Sequence, residues 1–81
     1  MTVNELTETL KAKGYIMAEY TFWKSNIIFS EVTYTDYVKD KKIAISTKRF
    51  KEAGETKVTF INKDFEEEFK EMGIEVGTVL K

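Results

Sequence analysis

Four carboxylates, Asp64, Glu67, Glu68 and Glu71, recur at i, i+3, i+4 and i+7, the spacing that gathers side chains on one side of a helix. Such a row attracts a hard cation or a basic partner surface. No calcium-type loop with its sharp-turn glycine accompanies it, so a solvated helix face is the simpler account and no metal ligand is assigned. An acidic first turn is also what a helix N-terminus favours electrostatically.

Other chemistry is scarce. With no histidine and no cysteine, the usual general base, thiolate nucleophile and zinc ligands are missing. Ser25, Ser30 and Ser46 have no neighbouring base in sequence, and no phosphate-cradling or nucleophile-elbow pattern occurs. No catalytic residue and no cofactor are expected. The second cluster of interest is basic and aromatic: residues 39–51, "KDKKIAISTKRFK", hold six of the 13 basic residues against one acid, and Trp23, Phe29 and Phe50 lie in neighbouring apolar runs. Lysines interleaved with aromatics can bind a single strand by stacking and phosphate contact. Yet the net charge is −1, and 12 of the 13 bases are lysine, whereas bidentate reading of bases and phosphates favours arginine. A protein partner is favoured over nucleic acid.

The elements that must position these residues are legible as changes of period. Thr2 and Glu5 form a T-x-x-E helix start, Val3, Leu6 and Leu10 make one apolar stripe, and Gly14 closes it. From Tyr15 the period becomes two. "YIMAEYTFW", "IIFSEVTYTDYV", "KKIAISTKRFK" and "TKVTFI" read as four strands, joined at Lys24-Ser25-Asn26, at Lys39-Asp40 and across Glu52–Glu55. "DFEEEFKEM" is a second helix with Asp64 as its cap and Phe65, Phe69 and Met72 as its stripe. "IEVGTVLK" is a fifth, C-terminal edge strand. The expected fold is α+β, a single domain over 1–81. It has two layers, with a four-stranded antiparallel meander, the added edge strand, and the N-terminal and C-terminal helices packed on one face.

A turn at Lys39-Asp40 sets Tyr34 opposite Ile45, Phe29 opposite Phe50 and Glu31 opposite Lys48, and the first loop sets Trp23 opposite Ile27. Ile16, Ala18, Tyr20, Phe22, Ile28, Val32, Tyr34, Val38, Ile43, Ile45, Val58 and Phe60 then form the core face. The open face gathers Trp23, Phe29, Glu31, Lys48 and Phe50 at one end, and these five are the candidate binding residues. Asp64, Glu67, Glu68 and Glu71 form a second, weaker surface. Three accounts of the aromatic end stand: the C-terminal segment covers it, a partner binds it, or two copies pair there as a homodimer.

The chain has no apolar run near the ~18 residues of a membrane span, and its N-terminus has neither the basic flank nor the apolar stretch of a signal peptide, so no membrane association is expected. Without cysteines to staple a small secreted fold, the expected compartment is the cytoplasm.

The opening "MTVNELTETLKAKGYIM", an amphipathic helix closed by Lys-x-Lys-Gly-Tyr before a strand, resembles that of short accessory proteins of phages and mobile elements, including anti-CRISPR inhibitors. The resemblance implies a compact, non-enzymatic inhibitor that docks on a host defence or nucleic-acid-handling protein. It assigns no role to any individual residue. The near balance of charge departs from the strongly acidic members that imitate DNA.

Overall fold

A computed structural model describes the backbone of residues 1–25, 29–51 and 54–81, and the side chains of these outside 22–30. Helix α1 (Val3–Ala12) starts where the Thr2 hydroxyl accepts the Glu5 amide at 3.1 Å, so the first turn's orphan donor is satisfied. Leu6 and Leu10 are its buried residues. Gly14, at φ +89°, takes the left-handed conformation that turns the chain into the sheet.

The sheet has five antiparallel strands in chain order: β1 (Ile16–Ser25), β2 (Phe29–Lys39), β3 (Lys42–Phe50), β4 (Thr56–Ile61) and β5 (Val79–Leu80). Between β4 and β5 a short 3₁₀ turn (Lys63–Phe65) runs into α2 (Glu66–Glu71). The α+β class, the meander and the C-terminal edge strand stand as expected. The edge strand shrinks to two residues, because Gly77 at φ +94° lies in a turn whose amide bonds Val58 O at 2.8 Å. The cap of the second helical segment also moves. Asn62 accepts the Asp64 amide at 3.0 Å, so Asp64 is capped rather than capping.

Both helices lie against one face. The main core joins Leu6 and Leu10 of α1, Phe69 of α2 and Ile74 to Tyr15, Tyr37, Ala44, Ile45, Val58 and Leu80, with Phe65 and Met72 packed at its margin. The C-terminus ties back through Val3 N to Lys81 O at 3.0 Å.

The faces of β1 and β2 are the reverse of the sequence expectation. The second turn is Asp40-Lys41, not Lys39-Asp40. Both residues have positive φ, +53° and +63°, the geometry a two-residue hairpin of matching twist requires. Lys39 therefore pairs with Lys42 and Val38 with Ile43; the ladder then skips Ala44, so that Tyr37 pairs with Ile45, Tyr34 with Lys48 and Val32 with Phe50. Moving the turn by one residue shifts the pairing by two and keeps the faces, whereas the single residue skipped at Ala44 exchanges the inward and outward positions of β2 relative to β3. Tyr15, Tyr37 and Thr35 are inside; Ile16, Tyr20 and Ile43, assigned to the core from sequence, are 71, 44 and 43% exposed. Irregularities in register between Tyr37/Val38 and between Ser46/Thr47 let Ala44 and Ile45 both be buried. In the first hairpin the ladder runs past the expected loop to Ser25↔Phe29, setting Trp23 opposite Glu31. Asn26, Ile27, Ile28, Glu52 and Ala53 lie outside the described residues.

This turn carries a left-handed lysine without glycine's freedom, so Asp40→Asn with Lys41→Gly should stabilise the protein by roughly 0.5–1 kcal/mol, a rise of several degrees in Tm. If Lys41 were instead a strand residue, glycine there would cost about the same amount. The sign of the change in a urea or thermal melt separates the two registers.

Candidate interaction surface

The helix-free face of the sheet is built from every second residue of each strand. Across it run three cross-strand rows: Ile16, Val38 and Ile43; Ala18, Asp36, Ser46 and Phe60; and Tyr20, Tyr34, Lys48, Lys57 and Val79. Alternation alone would allow polar residues here. Instead Ile16, Tyr20, Ile43, Phe50, Phe60 and Val79 are all at least 40% exposed, and Val76 beside them is 62% exposed. Large apolar side chains gathered on one face, here with polar residues between them, are a better mark of a contact site than exposed side chains scattered over the surface.

Polar groups order its centre. Asp36 accepts hydrogen bonds on both carboxylate oxygens, from the Tyr20 hydroxyl and from Ser46 Oγ at 2.6 Å. The bond to Asp36 holds the Tyr20 proton and pushes that phenol above its ordinary range. The Tyr20 and Tyr34 rings stack with centroids 6.2 Å apart. Lys48 continues the line, its ammonium 5.8 Å from the Tyr34 centroid and 4.8 Å from that of Phe50. A groove of about 550 Å³ adjoins this end, its lining including Lys48, Phe50, Glu55, Lys57, Val76 and Val79.

Of the five candidates on the expected open face, Lys48 and Phe50 lie on the actual one, side by side. Glu31 does not. Its register places it one step out of phase with Phe50's partner Val32, and its carboxylate meets Lys51 at 3.5 Å rather than Lys48. Trp23 and Phe29 are opposite Glu31 and Ser25 in the β1–β2 ladder; their side chains lie outside the described ones. Tyr20, Asp36 and Tyr34 were not expected on this face because the skipped Ala44 turns β1 and β2 over, and Phe60 because the irregularity at Ser46/Thr47 sets it opposite Ser46, out of phase with buried Val58. No local signal in the sequence marks either irregularity.

The acidic row divides. Asp64 pairs with Lys42 at 2.9 Å, and this bond raises the lysine's pKa. Glu68 turns toward α1 and accepts from Lys13 Nζ at 3.3 Å and from the Tyr15 hydroxyl at 3.1 Å. Glu67 and Glu71 remain exposed. The 3₁₀ turn puts Asp64 outside α2, so the four do not form one helical row. Among the described residues no group of three or more acidic side chains could hold a metal ion. No helix among them is long and apolar enough to cross a membrane.

No family model matches the chain, and no curated protein or solved structure is similar to it.

The Glu68–Tyr15 contact gives a pH signature. Burial, reinforced by the Glu68 carboxylate, raises the Tyr15 pKa to about 12, against an ordinary value near 10 in the unfolded chain. The neutral phenol is thus favoured by folding. Its stabilisation is complete below pH 10 and is lost as pH rises toward 12, by up to roughly 2–3 kcal/mol. Denaturant unfolding from pH 9 to 12 should show this decline, and Tyr15→Phe should flatten it. An equally steep decline in Tyr15→Phe would assign the alkaline loss elsewhere.

Proposed function

We propose that this chain is a small, non-enzymatic protein-binding module that docks through the helix-free face of its sheet. The observation that supports the reading most is the joint exposure of Ile16, Tyr20, Ile43, Phe50, Phe60 and Val79 on one face, continuous with the groove at Lys48 and Lys57. The partner that fits is a protein surface with an apolar centre and carboxylates near one rim, to meet those two lysines. The resemblance of the opening segment to phage accessory inhibitors accords with docking on a host protein, and the absence of histidine and cysteine accords with a role that needs no catalysis.

A second reading has its own observation: Lys48 over two aromatic rings is the kind of element that stacks bases and holds phosphate. Asp36 in the middle of the same face opposes it.

A photo-crosslinking residue placed at Phe60, compared with one at Glu71, tests the reading in cells of the source. One defined protein should be captured from Phe60 and not from Glu71, and Phe50→Ser with Phe60→Ser should reduce binding to that protein at least tenfold. Because both side chains are about half exposed, the double variant should remain folded, losing less than about 1 kcal/mol. Capture that survives the double substitution would overturn the docking face. A salt-sensitive shift of labelled single-stranded DNA or RNA, lost with Lys48→Ala, would favour nucleic acid instead.

A further inference from the structure

Strand β1 is open at its outer edge, and its described side chains are open on both faces. It is the outermost strand of the sheet, and among the described residues no strand lies on its outer side. Its described side chains, Ile16 through Thr21, are all exposed, those of the helix-side face included: Met17 is 37% exposed, and Glu19 and Thr21 are open as well. It runs ten residues without proline or a break in register. The opposite edge has only the two residues of β5. Proteins ordinarily blunt such an edge by shortening it, bulging it or pointing charges along it. Here β5 follows that rule and β1 does not.

The shape agrees. The radius of gyration is 13.0 Å, against about 11.7 Å for a compact chain of this length. The accessible surface is 5672 Å², against about 5,000 Å² for a compact monomer of this mass. Residues 24–25 of β1 and 29–30 of β2 pair with each other beyond Glu31, whose carbonyl accepts the Lys51 amide at 3.1 Å just past the last β3 pair, Val32↔Phe50.

We infer that β1 pairs antiparallel with β1 of a second copy, joining two five-stranded sheets into one. A two-fold axis perpendicular to the sheet through Thr21 sets Tyr20 opposite Phe22, Glu19 opposite Trp23, Ala18 opposite Lys24 and Met17 opposite Ser25. The strand carries one acid and one base, and in this register neither meets its like. A foreign strand would need side-chain pockets beside the edge to select it. Among the described residues, the three grooves that stand out are lined instead by β3–β5 and the α2 region. The same axis keeps both helix layers on one side and both helix-free faces on the other. The pairing does not rest on the docking reading, and each can fail alone.

Sedimentation equilibrium of the full chain, from micromolar to near-millimolar concentration, should show a species of twice the 9.4 kDa chain mass. Ala18→Lys with Thr21→Lys, which places lysines on both faces of the seam, should give a folded monomer by circular dichroism, while Phe60→Ser should remain a dimer. On the wild-type protein, amide exchange should slow along β1 as concentration rises, with β5 unchanged. A wild-type monomer at every concentration would overturn the inference. So would a folded lysine variant that still dimerises, or dimer loss in Phe60→Ser alone, which would mean that the faces pair rather than the edges. Concentration-independent exchange along β1 would overturn it without any variant.

Discussion

The constraint on which the rest depends is the break in register just beyond the left-handed Asp40-Lys41 turn. The turn sets Lys39 opposite Lys42 and Val38 opposite Ile43, and the next pair skips Ala44, a shift of one residue that decides which half of β2 faces the helices. Tyr37 meets Ile45 in the core because of it, and Thr7 of α1 can reach the Tyr37 hydroxyl at 2.9 Å. On the other side of the same backbone, Tyr34 meets Lys48 and Val32 meets Phe50. The exposed apolar face is thus a consequence of one skipped residue, Ala44, some distance from most of its members.

The elements were legible in the sequence, and their faces were legible only strand by strand. Thr2, Glu5, Leu6 and Leu10 announce α1 because capping and a 3.6-residue stripe are local properties. β3 also shows its own phase, with Ile45 inward and Lys48 and Phe50 outward, so those two survive as surface residues. β1 and β2 give no such answer. "IMAEYTFW" and "VTYTDYV" place large apolar residues at both odd and even positions, so burial of either face satisfies the pattern, and the residue skipped at Ala44 arbitrates. "KDKK" contains no glycine to mark the turn's left-handed second position, and no local signal marks the skipped Ala44, which turns Tyr20 and Tyr34 away from the helices. The Asn62 cap escaped for a similar reason: Asp64 with Glu67 imitates a helix start, but the chain first makes a 3₁₀ turn that Asn62 closes.

Why so much apolar surface stays outside follows from lengths. A ten-residue helix spans about 15 Å, whereas a ten-residue strand spans about 34 Å, and α2 is shorter still. Helices of this size shelter the end of the sheet near Tyr15 and Tyr37 and the strands toward β5. They leave Met17, Glu19 and Thr21 open even on the covered side. The stability of the fold therefore rests on the cluster around Leu6, Leu10, Ile45, Val58 and Phe69, and little of it on Phe50 or Phe60. Stability and contact are assigned to different residues of the same strands.

That separation makes an edge-joined dimer and a docking face compatible demands on one sheet. Edge pairing uses main-chain groups along the outer side of β1, and the contact face uses side chains projecting at right angles to it. Neither consumes the other's surface. With the two-fold axis normal to the sheet, the line from Tyr20 through Tyr34 and Lys48 in one copy meets the row of Phe22, Val32 and Phe50 of the other across the seam. The Asp36-centred network then lies two strands from the axis on either side. A partner laid across that seam would meet two copies of one patch, and simultaneous engagement would strengthen binding without any new kind of contact. The unblunted edge, a liability for an isolated monomer, is then the feature that enlarges the surface for recognition.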